Sequence, residues 1–150
     1  MFRVRNVIKN VYFRASVSTS TISGTIWTPA SGKKFRVQGW LLKATVITTF
    51  SAGTPAGHSL VVYDNAVSTT SIIGIPPYIV TSSTQAAGGW YGTGAVDLGH
   101  SLDLADNLYQ ASAADNVVKV GIIDNGAAPA LSTGLTGGIA IYGQIWGEEV

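Results

Sequence analysis

The chain has 150 residues, 46% of them apolar and only 11% charged, with nine basic residues, eight acidic residues and no cysteine. That length suits one domain with a sizeable core, and the lack of cysteine excludes disulfide scaffolds, thiolate metal sites and cysteine nucleophiles. The charged fraction is far below the usual ~25%, so a lone monomer would be short of solubilising surface, and association with partners is expected.

Charge is distributed unevenly from the first residue. Arg3, Arg5, Lys9, Arg14, Lys33, Lys34, Arg36 and Lys43 give residues 1–43 a charge of +8, and no acid lies there. Residues 44–150 hold all eight acids and Lys119, a charge of −7. Such asymmetry points to charged partners. For the body of the chain, the expectation is that the fold brings the halves together. For residues 1–14 it is that the basic segment reaches an acidic surface on another molecule. No apolar run approaches 18 residues, so no transmembrane helix is expected. No apolar h-region follows the basic start, so no signal peptide is expected either.

Residues 1–14 fit two patterns. As a helix, Val4, Val7, Ile8, Val11 and Tyr12 form one stripe; as a strand, Phe2, Val4, Ile8 and Tyr12 share a face. Their β-branched content favours an extended form. A Ser/Thr-rich spacer follows over 16–23. Residues 1–21 therefore read as an extended N-terminal arm and spacer, with Phe2, Arg3, Val4, Arg5, Ile8, Lys9, Tyr12 and Arg14 as partner-binding residues. Residues 22–150 read as a single β domain.

From residue 22 onward, Gly and Pro punctuate short runs rich in Val, Ile, Thr and aromatics. Strands are predicted at 22–28, 34–48, 58–64, 72–81, 93–98, 107–111, 116–124 and 137–146, a spacing typical of sandwiches and barrels. Strand 34–48 changes phase: Phe35 and Val37 point one way, and after Gly39 the apolar set becomes Trp40, Leu42, Ala44 and Val46. One extra residue near Gly39, a β-bulge, accounts for this. Trp27 and Trp40 are expected in the core. In 117–123, Val118, Val120 and Ile122 share a face. In 139–146, Ile139, Ile141 and Ile145 face the core, while Tyr142 and Trp146 point outward, toward a second layer or a subunit interface. The glycine-rich stretch 86–94 is predicted to be a loop presenting Trp90 and Tyr91, an alternative ligand platform. Residues 127–138 read as another loop.

The search for reactive groups yields little. His58 precedes Ser59, but neighbours in a strand point to opposite faces and make a poor base–nucleophile pair. Asp97 and His100 could meet across a turn, as a surface hydrogen bond. Asp103 and Asp106 could offer two oxygens to Ca²⁺, but the alternating acidic loop of an EF-hand is missing. The expectation is no catalytic, cofactor or metal site. Phe2, Tyr12 and Phe13 among Arg3, Arg5, Lys9 and Arg14 could stack bases and bind phosphates. The nearly neutral chain carries no recognisable nucleic-acid motif, so no nucleic-acid partner is expected.

The stretch Trp27-Thr28-Pro29-Ala30-Ser31-Gly32-Lys33-Lys34-Phe35-Arg36-Val37-Gln38-Gly39 contains a Trp-x-Pro-x-x-Gly-Lys turn that enters a strand. Pro29 fixes φ, and Gly32 permits φ > 0. In a small Ser/Thr/Gly-rich β protein without cysteine, this stretch resembles virion proteins of tailed bacteriophages, above all the small capsid decoration (cement) proteins; the match covers about residues 24–50. The resemblance implies a jelly-roll-like or tulip-like β-sandwich or barrel. It further implies a homo-oligomer, a trimer, on the outer capsid surface of the virion, its arms on neighbouring subunits and on the major capsid protein. It carries over no catalytic residue. The alternative is a receptor- or carbohydrate-binding domain of a phage fibre or tail protein that uses Trp90 and Tyr91.

Overall fold

Period-two runs of β-branched and aromatic residues can bury one face only by pairing into sheets and stacking those sheets. The computed structural model describes residues 9–18, 23–51, 58–68, 70–74, 79–80, 98–101, 109–124, 130–131 and 136–150. The strands are β1 (Lys9–Ser18), β2 (Ser23–Trp27), β3 (Phe35–Ser51), β4 (His58–Asp64), β5 (Ile72–Gly74), β6 (Ile79–Val80), β7 (Leu98–Ser101), β8 (Tyr109–Gln110), β9 (Val118–Asp124), β10 (Ala130–Leu131) and β11 (Thr136–Glu149). Among the described residues there is no helix.

Two antiparallel sheets form an all-β sandwich. The five-stranded sheet runs β1-β11-β3-β7, with β8 sharing the outer edge of β3. The six-stranded sheet runs β10-β9-β4-β5, with β2 also on β9 and β6 also on β4. The core lies between them. Phe35, Val37, Trp40, Ile139, Ile141 and Ile145 from the first sheet meet Ile26, Trp27, Leu60, Val62, Val118, Val120 and Ile122 from the second. Trp27, Trp40, the Val118 face and the Ile139 face thus lie where alternation puts them. The outer face of the second sheet is also apolar: Val61, Tyr63 and Ile123 are buried there with Val67, Ile72 and Leu131 packed against them. This two-sided burial explains why β4 reads as the unbroken apolar run Leu60–Tyr63.

The phase change of β3 is a bulge. Trp146 pairs with Gly39, but Gly147 pairs with Val37, so Gln38 is the extra residue. The bulge lets Val37 and Trp40, three apart, both face the core. The turn before β3 forms with Gly32 at φ 77° and Lys33 N–H donating to Ala30 C=O at 3.0 Å.

Two features differ from the sequence reading. The described residues of the predicted strand 72–81 form β5 and β6, both on β4, but the predicted loop 127–138 contains β10 and the start of β11. Residues 9–18, placed on an arm, instead form β1, which pairs with β11 of its own sheet from Lys9 opposite Gly147 to Ser18 opposite Gly138. Val11 packs on the core. The reason is the exposed edge that β11 would otherwise present: pairing with β1 satisfies that row of N–H and C=O groups.

Candidate interaction surface on the five-stranded sheet

Because Ile139, Ile141 and Ile145 are buried in the core, the alternate positions of β11 lie on the outer face of the sheet. Register then assembles a patch from three strands that are distant in sequence. Gln144 pairs with Tyr12 on β1 and Leu41 on β3; Tyr142 pairs with Arg14 and Lys43. Tyr12 and Tyr142 are therefore diagonal neighbours on adjacent strands, within reach of one another's aromatic rings. Tyr12 is 76% exposed and Tyr142 37%, and they are the exposed large hydrophobic residues among those described.

Trp146 occupies the next outward position, opposite Asn10 and Gly39. Its indole lies over Gly39 so closely that any Cβ there would overlap the ring. Trp146 is thus half-buried on its own chain, and the glycine is what lets the ring lie flat. Below it, Arg36 Nη1 donates to Glu148 Oε1 at 2.6 Å in an ion pair, and Arg36 Nη2 donates to Gln110 Oε1 at 3.0 Å.

The C-terminal strand is further tied to the turn before β3. Trp27 Nε1 donates to Glu149 Oε1 at 3.2 Å and Ala30 N to Glu149 Oε2 at 3.3 Å. Gly32 N donates to Asp115 Oδ1 at 2.7 Å. Lys34 and Val150 exchange backbone hydrogen bonds of 2.9 Å in both directions. At this end of the sandwich the basic and acidic halves of the chain meet directly, as expected for the body.

The residues singled out from the sequence divide as follows. Lys9, Tyr12 and Arg14 are on β1; Tyr142 and Trp146 are on β11. Register unites Tyr12, Arg14 and Tyr142 on one face, which no pattern in the chain announces. Phe2, Arg3, Val4, Arg5 and Ile8 lie outside the described residues, as do Trp90, Tyr91, Asp97, Asp103 and Asp106. His58 is paired within β4 opposite Asp124, and His100 within β7 opposite Trp40.

No family model matches the chain, and no curated protein matches it. Among solved structures, the chain shows a likeness to the capsid asymmetric unit of the cyanophage Pam1, at 13% identity and a TM-score of 0.34, covering 97% of this chain and 89% of that one.

Proposed function

We propose that this chain is a non-catalytic structural protein of a phage particle. On this reading it docks on the outside of the head through the outer face of its five-stranded sheet and bridges neighbouring capsid subunits, acting as a homo-oligomer. The observation that carries the reading is the pair of solvent-facing tyrosines, Tyr12 and Tyr142, with Arg14 and Lys43 at the flanking register positions. Exposed aromatic rings beside basic positions on a rigid sheet suit a protein interface, where Tyr and Arg are enriched. The resemblance of residues 24–50 to capsid decoration proteins supports the phage head as the surface in question.

Binding only the assembled shell stabilises it by mass action. Bridging several subunits adds avidity, because each further contact forms at high effective concentration. The test is quantitative mass spectrometry of purified virions. A copy number in simple ratio to the major capsid protein is expected. Absence from the particle, or the few copies of a fibre tip, overturns the reading.

A further inference from the structure

We propose that a cavity at the end of β4 is a binding site for a cationic N–H donor group, an ammonium or guanidinium, with the Asp64 carboxylate as its anchor. The cavity has a volume of about 330 Å³ and is lined by Asp64, Ser71, Tyr109, Asn116 and the exposed rim of Thr70 and Gln110, among others. Asp64 is the last residue of β4 and only 4% exposed. It follows the buried run Leu60–Tyr63, so the strand carries a carboxylate into the edge of the core.

Its surroundings are rigid. Phe35 stacks on Tyr109 with ring centroids 6.2 Å apart, which directs the Tyr109 hydroxyl to Asp64 Oδ2 at 3.1 Å. The backbone is clamped as well: Asp64 N donates to Ser71 C=O at 2.8 Å and Asn65 N to Val117 C=O at 2.7 Å. Ser71 Oγ is committed to Ala66 C=O at 2.5 Å and to the Ser68 amide at 2.7 Å. Yet Asp64 Oδ1, fully buried, has no hydrogen-bond partner. A buried carboxylate oxygen without a donor is costly.

The chemistry of the lining selects the ligand. Asp64 is its one carboxylate among the described residues; the rest is hydroxyl, amide and apolar. Calcium takes six to eight oxygens and commonly several carboxylates, which this lining does not offer. A single N–H cation supplies both the donor that Oδ1 lacks and the compensating charge. Among the described residues, the cation that reaches the rim, Arg36 through Gln110, is already paired with Glu148. A share of about 30 Å³ per water makes the cavity roomy enough for the head of a lysine or arginine side chain, or for a free amine.

The other titratable group in the lining is Tyr109, whose hydroxyl burial and the neighbouring Asp64 push upward. Asp115, on the adjoining loop, turns its carboxylate to the Gly32 amide. Loss of binding on acidification therefore reports Asp64. Burial raises its pKa, and the polar groups around it, Tyr109 first and then Asn116 and the Ser112 backbone, oppose the rise.

The experiment is an NMR titration of the full chain with n-butylammonium and with methylguanidinium. Saturable amide shifts centred on Asn65, Ser71, Tyr109 and Asn116 are expected. Asp64→Asn, its fold checked by the same spectrum, should weaken binding at least tenfold. Should that variant not fold, the wild-type pH profile decides, with affinity falling as pH drops through the raised Asp64 pKa. Tetramethylammonium, a cation without N–H, should bind at least tenfold more weakly. Capped Gly-Lys-Gly and Gly-Arg-Gly peptides distinguish the sources: tighter binding than the free ions indicates a side chain from a partner protein, equal binding a free amine. Shifts unaffected by Asp64→Asn or by acid, equal binding of tetramethylammonium, or saturable binding of Ca²⁺ in place of the amines overturns the proposal.

Discussion

Arg36 and Glu148 join the basic start of β3 to the acidic end of β11. Glu148 is 8% exposed, so its carboxylate depends on the guanidinium at 2.6 Å. Removing one partner of a part-buried pair leaves the other desolvated and unpaired. Arg36→Ala is expected to cost about 1–3 kcal/mol, and a double-mutant cycle with Glu148→Ala should give a coupling that persists in salt better than a surface pair's would. Additive single effects in urea melts would show the pair to be incidental. Asp64 behaves oppositely. Burial raises its pKa above the ordinary 3.8, so between that value and the raised one the folded chain holds more protons than the unfolded chain. Stability then falls as pH rises through this window. Asp64→Asn should therefore melt higher than wild type at pH 7, with the gap closing as pH falls below the ordinary carboxylate value. A lower melting temperature for the variant at pH 7 would show that the hydrogen bond to Tyr109 outweighs desolvation.

At the scale of elements, β1 decides the most. It covers the edge of β11 from Gly138 to Gly147, and Val11 packs against the core. Deleting residues 1–18 removes that strand, bares a row of backbone N–H and C=O groups and exposes a flat edge prone to pairing with other chains. The truncated protein is expected to melt lower and to aggregate; an unchanged melt and a monomeric profile would contradict the structural role of β1. The strand was only half legible in the sequence. The β-branched content of residues 1–14 argued for an extended form, but the register of β1 with β11, more than a hundred residues away, depends on a tertiary partner that local pattern does not encode. The bulge at Gln38 was legible because Phe35, Val37 and Trp40 can reach one core only if a residue is inserted. The core was legible for the same reason of period. The candidate surface was not: Tyr142 stood out through alternation on its own strand, whereas Tyr12 joins it only once β1 is docked. Asp64 left a faint mark, a lone acid closing the run Leu60–Tyr63, but its partner Tyr109 lies 45 residues on.

For the whole molecule, docking through the outer face, as proposed, would combine two forces with different reach. Basic register positions beside the tyrosines act over distance and guide encounter. Exposed ion pairs contribute only ~0.2–1 kcal/mol each once formed, while a buried tyrosine at an interface centre contributes about 2 kcal/mol or more. The two contributions should therefore separate in kinetics. Replacing Tyr12 and Tyr142 together by Ala removes burial without touching the core, since neither side chain belongs to it. Its expected effect on binding to purified heads is a dissociation rate faster by tenfold or more, with the association rate nearly kept. Raising the salt concentration should do the reverse, slowing association and leaving dissociation almost constant. Trp146 is unsuitable for this test, because its ring also covers Gly39 and its loss would weaken the fold. Surface-immobilised heads and time-resolved binding at several salt concentrations give both rates. A double tyrosine variant that dissociates as slowly as wild type would move the contact surface off this sheet.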